Sequence, residues 1–384
     1  MAGLIAHEWI ERRGGSENVL EAIAELYPDA ELVTPWNNAP HRFAERHVRE
    51  LWLANSPLRG RKAASVPALA AAWRSAVPRE RPLDWVLASS HLFAHHIKPH
   101  GVNKHVPKLV YVYTPARYIW TPDMDQRGSH IAARIASAVL RPIDRHRAKE
   151  AHAVASISEF VRQRVRRAWQ VDSTVIYPPV EVTRLREVAD WSTTLDPRER
   201  ELLDSLPEEF VLGASRFIPY KRLDLVIAAA EEAGIPAVIA GGGPERTRLS
   251  SLAADARVPV RMVDEPSSAL LHALYQRATV FVFPPVEDFG IMPIEAMALG
   301  TPAVGAAIGG SAETITDGIS GAHFTEPTAR NVAQAIARAR EVGSASTIAA
   351  SMKFSRERFD TEFRDWLNRS VSGTKSSMAG SSAS

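Results

Sequence analysis

The strongest constraint on the fold is a repeated alternation of short apolar runs with helical patterns. Runs rich in Val, Ile, Leu and Ala occur at 4–6, 30–34, 84–88, 108–112, 148–156 and 174–177, and again at 210–214, 237–240, 259–263, 280–283 and 303–305. Such runs are typical of strands that are buried on both faces of a parallel sheet. Helical patterns lie between them, for example at 17–26, 159–169 and 223–230. The sequence therefore predicts an α/β protein with two doubly wound domains that face a central cleft.

A polar stretch separates the two halves of this alternation. Pro178 and Pro179 stop a strand, and the charged residues that follow at 183–206 are interpreted as a linker. A region rich in Pro, Arg and Trp at 36–81 is predicted to be a helical excursion. The predicted parts are an N-terminal domain (1–182), a C-terminal domain (207–345), a C-terminal helix that could pack back on the first domain (346–370) and a disordered small-residue tail (371–384).

Composition narrows the class of protein. The chain has 384 residues, of which 45% are hydrophobic, and this is enough for two cores. It contains no cysteine, which excludes a disulfide framework and a thiolate metal site. We see neither a secretory leader nor an apolar run of membrane-spanning length. These features predict a cytoplasmic protein.

Charge is distributed unevenly between the halves. Residues 1–180 hold 25 Lys and Arg against 17 Asp and Glu, whereas residues 181–384 hold 21 against 27. A basic first half could contact an anionic membrane surface or an anionic acceptor. The alternative is an ordinary Arg-rich solvated surface. We expect no nucleic-acid partner.

The segment EDFGIMPIEAMALG carries the clearest chemical signal. Glu287 and Glu295 stand eight positions apart, on either side of a turn that contains Gly290. Pro293 is suited to the first position of a helix, and Gly300 to the residue just past its end. A strand, a turn and a helix in this order form an anion-binding site at the carboxyl end of a parallel sheet. The alternative reading is a solvated loop acid followed by a first-turn acid that complements the helix dipole.

A second chemical signal follows the first strand of the second half. In SRFIPYKR, Arg216 and Lys221 are five residues apart on a loop that leads into a helix. Two cations there could hold a diphosphate, Arg through its planar fork and Lys as a point charge. The alternative is a basic loop without a ligand.

Together these segments resemble retaining GT-B glycosyltransferases of family 4, which contain two Rossmann-like domains. The matching features are Glu-x7-Glu with FG and PxEAMALGTP, the following Gly309 and Gly310, and the SR-x-x-PYKR block. The opening HEWIERRGGSENVLEAIAELYPDAELVT is similar to that of O-antigen and capsule mannosyltransferases. The resemblance covers about residues 4–345.

The resemblance implies a role for each matching residue. Glu287 would face the transferred sugar and Glu295 would bind the ribose, while Arg216 and Lys221 would bind the diphosphate. The residues predicted to bind the donor are Gly14, Gly15, Arg216, Lys221, Val263, Glu287, Phe289, Gly290, Ile291 and Glu295. Of these, Glu287, Arg216 and Lys221 are predicted to be catalytic.

Departures from the family pattern lie in the first half. Relatives carry a histidine near the transferred sugar where this chain has Tyr113. His91 matches another family histidine at a strand end, and a purely structural role is equally open. Arg13 lies beside the Gly-Gly turn and could meet an anionic acceptor. His91, Tyr113 and Arg13 are therefore the candidates for contact with sugar or acceptor, and the roles of Glu8 and Trp9 stay undetermined.

Metal ligands are not evident in the sequence. Asp123 and Asp125 match the Asp-x-Asp motif of a different transferase fold, but they follow Thr-Pro and are interpreted as a solvated turn. No His, Asp or Glu spacing is typical of a metal site. With two cations for the diphosphate, we expect no cofactor and no required metal.

The resemblance implies an enzyme that transfers a hexose from a nucleotide sugar. The first expectation is mannose from GDP-mannose, moved to a glycan or lipid-linked acceptor in polysaccharide biosynthesis, in the cytoplasm or at the inner face of a membrane. UDP-sugars remain open as donors. Two other classes also remain open, namely a sugar-nucleotide epimerase and a non-catalytic protein that binds nucleotide sugars.

Overall fold

The computed structural model describes residues 1–12, 14–120 and 131–381, without the side chains of 118, 131–136 and 374–381. The chain divides into two compact units. Unit 1 consists of Met1–Pro179 and Phe359–Ser384, and unit 2 consists of Val180–Arg358. Each unit is an α/β domain built on one parallel sheet.

Unit 1 is built on a parallel sheet in which seven strands are described. They are β1 (Gly3–His7), β2 (Glu31–Thr34), β3 (Val48–Glu50), β4 (Trp85–Ser90), β5 (Lys108–Val112), β6 (Ala153–Ser156) and β7 (Thr174–Val175), in the order β3-β2-β1-β4-β5-β6-β7. Its helices include α1 (Gly15–Leu26), α2 (Lys62–Arg74), α3 (Arg117–Trp120), α4 (Ile131–Ala148) and α5 (Glu159–Trp169). The chain leaves β3 for the other side of β1, so the strand order reverses between β1 and β4. In open α/β sheets, ligands bind at the carboxyl ends of strands at such a reversal.

Unit 2 is built on a second parallel sheet. Its strands are β8 (Val211–Ala214), β9 (Ala237–Gly241), β10 (Val260–Asp264), β11 (Val280–Phe283), β12 (Ala303–Ala306) and β13 (Gly321–Phe324), in the order β10-β9-β8-β11-β12-β13. The helices are α6 (Val182–Glu187), α7 (Pro197–Asp204), α8 (Leu223–Ala233), α9 (Arg246–Asp255), α10 (Ser268–Arg277), α11 (Ile291–Ala298), α12 (Ser311–Thr314), α13 (Ala329–Arg340) and α14 (Ser344–Ser351). This is the 3-2-1-4-5-6 strand order of the Rossmann fold, which reverses between β8 and β11.

The region 183–206 differs from the linker that its polar composition suggests. It contains α6 and α7 and lies wholly within unit 2. Leu195, Leu203 and Leu206 are buried in the core of that unit, against residues such as Phe210. Three leucines spaced among charged residues are thus sufficient to hold the segment against the domain.

The last helix, α15 (Arg356–Ser381), returns to unit 1 from Phe359 onward. The ring of Phe363 lies 5.5 Å from that of Tyr111 and 6.4 Å from that of Tyr27, measured between centroids. The helix extends past residue 370 into the segment for which the sequence predicts disorder. Val371 is buried, so the apolar contacts of the helix extend beyond Leu367. The helix then continues for further turns after Val371.

Among the described residues, no helix combines the length and the apolar character that crossing a membrane requires.

Candidate functional site

The turn after β11 places the two predicted carboxylates of unit 2. Gly290 has φ 104° and precedes the first residue of α11, Ile291. The helix therefore begins two residues earlier than Pro293, which occupies its third position. Proline is tolerated there because the first four N–H groups of a helix have no partner within the helix. Gly300, with φ 94°, lies just past the end as predicted.

The Gly-Gly turn after β12 packs directly on this turn. The N–H of Gly310 donates to the carbonyl oxygen of Glu287 (2.7 Å). A Cβ atom on Gly310 would lie 1.9 Å from the carbonyl oxygen of Phe289. Gly309 has φ 79°, a conformation that side chains disfavour. These two glycines thus hold the backbone of Glu287 and Phe289 in place.

Lys221 and Glu287 are brought into contact although 66 positions separate them. Lys221 is only 7% exposed, and its ammonium group donates to the Glu287 carboxylate as an ion pair. The Tyr220 hydroxyl donates to the same carboxylate oxygen (3.4 Å). The ring of Phe283 lies 5.4 Å from the ammonium nitrogen. Because an ammonium group has three N–H donors, Lys221 can keep Glu287 and still bind a further anion.

Two arginines close to Lys221 in the sequence, Arg216 and Arg222, differ in their contacts. The side chain of Arg216 is exposed and has no hydrogen bond or ion pair with the part of the chain that the structure describes. Arg222 forms an ion pair with Asp224 (3.2 Å). Arg216 is therefore available to an anionic ligand, whereas Arg222 is occupied.

A glycine turn supports the loop that carries Arg216. The N–H of Phe217 donates to the carbonyl oxygen of Gly242 (2.7 Å). A Cβ atom on Gly241 would lie 1.8 Å from the carbonyl oxygen of Ser215, and Gly241 has φ 142°. The turn at residues 241–244 thus fixes the loop. Its glycines are explained by the close approach of the loop backbone, which leaves no room for side chains.

Glu295 and Val263 occupy two further positions in unit 2. Glu295 is the fifth residue of α11 and is partly exposed. Desolvation raises the pKa of its carboxyl group to about 7, although the nearby Tyr275 opposes this shift. Val263 is buried near the carboxyl end of β10, beside Ala240 of β9. Near neutral pH, Glu295 can therefore exchange a proton as well as accept hydrogen bonds.

In unit 1, the predicted Gly-Gly turn lies at the start of α1. Gly14 precedes the helix and Gly15 is its first residue. A Cβ atom on Gly14 would lie 2.0 Å from a carboxylate oxygen of Glu17, which is buried. That carboxylate accepts hydrogen bonds from the backbone N–H of Glu11 (3.2 Å) and the hydroxyl of Ser16 (2.8 Å). A side chain at position 14 would collide with this buried carboxylate, which explains why the residue there is glycine. Arg13 lies outside the described residues.

Tyr113 and His91 lie in one cluster at the carboxyl end of the unit 1 sheet. Their ring centroids are 6.3 Å apart. The Tyr113 hydroxyl bonds with Ser89 Oγ (2.8 Å) and donates to the carbonyl oxygen of Ser16 (3.2 Å). Burial raises the pKa of Tyr113 well above its ordinary value. His91 is a quarter exposed and is therefore the solvent-facing member of the pair.

Glu8, whose role the sequence left undetermined, orders the loop after β4. It is fully buried and accepts hydrogen bonds from the backbone N–H groups of Leu92 (3.0 Å) and Ala94 (2.7 Å). Burial alone would raise its pKa, but His91, His7 and the N–H donors together lower the pKa below its ordinary value. Glu8 thus remains ionised and holds the backbone of His91 through its N–H (3.2 Å), with the carboxylate 3.5 Å from His91 Nδ1.

A buried group of His95, His96 and Asp144 was not identified from the sequence. Their ligand atoms all lie within 4.8 Å of one another. Oδ2 of Asp144 accepts from the indole N–H groups of Trp120 and Trp169 (2.7 Å each). Both histidine Nε2 atoms lie 3.0 Å from Oδ1. Since hydrogen bonds already occupy both carboxylate oxygens, this group fits a structural hub better than a metal site. Asp123 and Asp125 lie outside the described residues.

Comparison with protein families gives a match in the second half of the chain. Residues 198–346 match the model for glycosyl transferases group 1. One relative is the D-inositol 3-phosphate glycosyltransferase of Mycobacterium avium, 34% identical over 125 residues, or 30% of each chain. Another is the GDP-mannose-dependent alpha-(1-6)-phosphatidylinositol monomannoside mannosyltransferase of Mycolicibacterium smegmatis. It is 31% identical over 198 residues, which are 48% of this chain and 51% of the relative. The chain thus spans about a third to a half of the length of these relatives.

Solved structures agree with the whole chain in fold. Sucrose-phosphate synthase from Thermosynechococcus elongatus superposes with a TM-score of 0.69 at 17% identity, over 96% of this chain and 99% of that one. Anabaena HepE in complex with UDP-glucose gives 0.68 at 19% identity, over 96% and 99%. The predicted fold class is confirmed, since two Rossmann-like domains on parallel sheets form a GT-B fold. By these matches, residues 198–346 are similar to the glycosyl transferases group 1 family, within a chain of GT-B fold.

Proposed function

We propose that this protein is a retaining glycosyltransferase that moves mannose from GDP-mannose to a glycan or lipid-linked acceptor in polysaccharide biosynthesis. The observation that carries the proposal is the contact of Lys221 with Glu287 beside the first turn of α11. A cation and a carboxylate there suit the two parts of a nucleotide sugar, its diphosphate and its hydroxyl-rich hexose.

In this proposal each residue binds one part of the donor. Arg216 and the remaining N–H groups of Lys221 hold the diphosphate. Glu287 accepts hydrogen bonds from sugar hydroxyls, next to the backbone of Gly290. Glu295 accepts hydrogen bonds from the ribose. No divalent metal is needed, because the two cations offset the negative charge that develops on the leaving group.

The proposed stereochemical course is same-face substitution. A double displacement needs a carboxylate that is free to attack the sugar. The Glu287 carboxylate is instead engaged by Lys221 and Tyr220. We propose that the bond from the anomeric carbon to the phosphate oxygen breaks while the acceptor oxygen bonds to that carbon. The acceptor proton passes to the departing phosphate oxygen.

The relatives guide the choice of donor and acceptor. The name of one states GDP-mannose as donor, and the names of both contain an inositol phosphate or phosphatidylinositol group. We therefore place GDP-mannose first among donors, with UDP-sugars as the alternative. Inositol phosphate and mannosides are therefore the two kinds of acceptor to be tested.

Contact with a membrane is proposed for the case of a lipid-linked acceptor on the cytoplasmic side. Val139 and Ile143 are exposed on α4, and the cationic Lys149 is exposed just after the end of this helix. Apolar side chains next to positive charge favour an anionic lipid surface. Co-sedimentation with anionic vesicles, weakened by salt, would support this contact, and its absence would contradict it.

Calorimetry tests the donor site first. Binding of GDP, UDP and ADP is measured with a chelator present, in the wild type and in Lys221→Ala. We expect one nucleotide to be preferred and its affinity to fall about 10- to 100-fold in Lys221→Ala, since a charge-assisted contact is lost. The exposed Arg257→Ala is the matched control and should leave binding unchanged. Failure of all three nucleotides to bind would contradict the donor site.

Product analysis tests the reaction. With GDP-mannose and an acceptor, the wild type should give a product with the anomeric configuration of the donor. Glu287→Ala should abolish transfer and leave GDP binding largely intact. A new sugar nucleotide formed without acceptor would instead indicate an epimerase. Binding without turnover would indicate a non-catalytic protein, and an active Glu287→Ala variant would remove Glu287 from its proposed role.

A further inference from the structure

A chain of hydrogen bonds crosses the carboxyl end of the unit 1 sheet where the strand order reverses. His7 ends β1 and lies beside Ser89 of β4 in the register of the sheet. Nδ1 of His7 is 2.9 Å from Ser89 Oγ, which is 2.8 Å from the Tyr113 hydroxyl. That hydroxyl also contacts the carbonyl oxygen of Ser16 in the first turn of α1 (3.2 Å). These bonds thus connect β1, β4 and the residue after β5 to the start of α1, beside the Gly-Gly turn.

The carbonyl at one end fixes the direction of every bond in this chain. A carbonyl oxygen can only accept, so the Tyr113 hydroxyl donates its proton to Ser16. Tyr113 must then accept from Ser89, whose single proton is used in that bond. Ser89 Oγ therefore accepts from His7, which places the proton of the neutral imidazole on Nδ1. The other ring nitrogen, Nε2, is left with a lone pair.

This Nε2 atom is a buried acceptor that lacks a donor. The His7 side chain is 1% exposed, and Nε2 forms no hydrogen bond with the described residues. Burial, together with the neighbouring His91, lowers the pKa of His7 to about 4, so protonation does not satisfy the atom at neutral pH. A buried polar atom without a partner is costly, and in native proteins it often marks a functional position.

We propose that His7 is a further substrate-binding residue, whose Nε2 accepts a hydrogen bond from a hydroxyl group of the sugar or of a polyol acceptor. This inference rests on the proposed function, which supplies the hydroxyl-bearing substrate. Ser89 and Tyr113 are positioning residues, because they hold the proton on Nδ1. The ring of His91, 5.8 Å from that of His7, turns aside to admit the hydroxyl. Rotation of a partly exposed side chain is fast compared with turnover.

The position of the proton can be measured in the protein without substrate. In ¹⁵N spectra of histidine side chains, His7 is assigned among the 13 histidines by the signals that are lost in His7→Gln. We expect an unprotonated Nε2 in the wild type. In Tyr113→Phe, Ser89 loses its acceptor and donates to Nδ1 instead, so the proton moves to Nε2. Tyr111→Phe is the matched control, because that hydroxyl bonds to the carbonyl of Ile176 and should leave His7 unchanged. A protonated Nε2 in the wild type overturns the inference.

Steady-state kinetics test the contact itself. His7→Phe and Tyr113→Phe should each raise KM for one substrate about 5- to 20-fold, the loss of roughly one hydrogen bond, with a smaller effect on kcat. The double variant should show little additional effect, because both changes remove the same acceptor. Unchanged KM values for both substrates in His7→Phe would overturn the proposal.

The two tests separate this inference from the proposed function. If the wild type turns over no nucleotide sugar, the proposed function fails, and the inference is then decided with mannose and myo-inositol as probes. A change in the Nε2 signal of the wild type, absent in Tyr113→Phe, supports the hydroxyl contact. No change with either probe contradicts it.

Discussion

At the residue scale, desolvation raises the pKa of one carboxyl group, that of Glu295. Its pKa is about 7 in the fold, against an ordinary 4.5. Between these values the folded state holds the proton more tightly than the unfolded state does. The free energy of unfolding therefore falls as the pH rises through this window. The motif and its family resemblance made Glu295 a candidate. The raised pKa follows from its desolvation in the fold, which the sequence does not show.

The Glu295→Gln variant should lack this loss of stability. We expect its free energy of unfolding, relative to the wild type, to become more favourable from about pH 4.5 to about pH 7 and then to level off. Urea unfolding of both proteins at about pH 5 and about pH 8 measures the difference. A difference that does not change with pH would show that Glu295 titrates normally.

Removal of Asp144 should strongly destabilise unit 1. Its carboxylate accepts from the half-buried indole of Trp120 and the fully buried indole of Trp169, so Asp144→Ala leaves both donors unpaired. We expect a loss of about 3–5 kcal/mol in the free energy of unfolding. Asp172→Ala is the control, since its ion pairs with Arg162 and Arg166 are exposed and should contribute about 1 kcal/mol or less. Equal effects of the two changes would contradict the role of Asp144 as a hub.

Motif spacing predicts those candidate site residues that lie within one short segment of the chain. Glu287, Lys221 and Arg216 fall in this class, and the contact of the first two agrees with their predicted proximity. The role of His7 depends on bonds to residues about 80 to 110 positions away, which no local pattern records. The Asp144 hub was missed for the same reason, because His95 and His96 lie 49 and 48 residues earlier in the chain.

Among the elements, the turn before α11 depends on the Gly-Gly turn that packs on it. Gly310→Ala would place a methyl group 1.9 Å from the carbonyl oxygen of Phe289, so one of the two turns must move. We expect a cost of about 1–3 kcal/mol in stability and a loss of nucleotide affinity. Thermal unfolding and calorimetry measure the two effects. Gly343→Ala is the control, because its nearest neighbour is 4.0 Å away. If both variants behave alike, the close approach does not constrain the turn.

The central strands and the edge strands β7 and β10 were predicted from the sequence, whereas the other two edge strands were not. β4 and β5 are mostly apolar and are buried throughout, and this is the pattern of a strand covered on both faces. The edge strands β3 and β13 were missed. β3 has three residues, two of them charged, and β13 begins with glycine. Short edge strands lack the apolar run that identifies a central strand.

At the scale of the whole molecule, most of α15 belongs to unit 1 although it follows unit 2 in the sequence. Five of its apolar side chains are buried, namely Phe359, Phe363, Trp366, Leu367 and Val371. Truncation after Arg358 should therefore destabilise unit 1 by more than about 5 kcal/mol, whereas truncation after Gly373 should be tolerated. Limited proteolysis and near-ultraviolet circular dichroism compare the two proteins. A well-folded unit 1 in the shorter protein would contradict this role of the helix.

The return of the chain to unit 1 has a consequence for its synthesis. Unit 2 begins at Val180, whose N–H donates to the carbonyl oxygen of Phe354 (2.9 Å), so the segments that enter and leave this unit lie side by side. On the ribosome, unit 2 is complete before Phe363 can reach Tyr111. At about 5–20 residues per second, the first unit waits on the order of ten seconds with this aromatic surface uncovered. The nascent chain is therefore expected to be most vulnerable to aggregation, and most dependent on chaperones, in its earliest-made half.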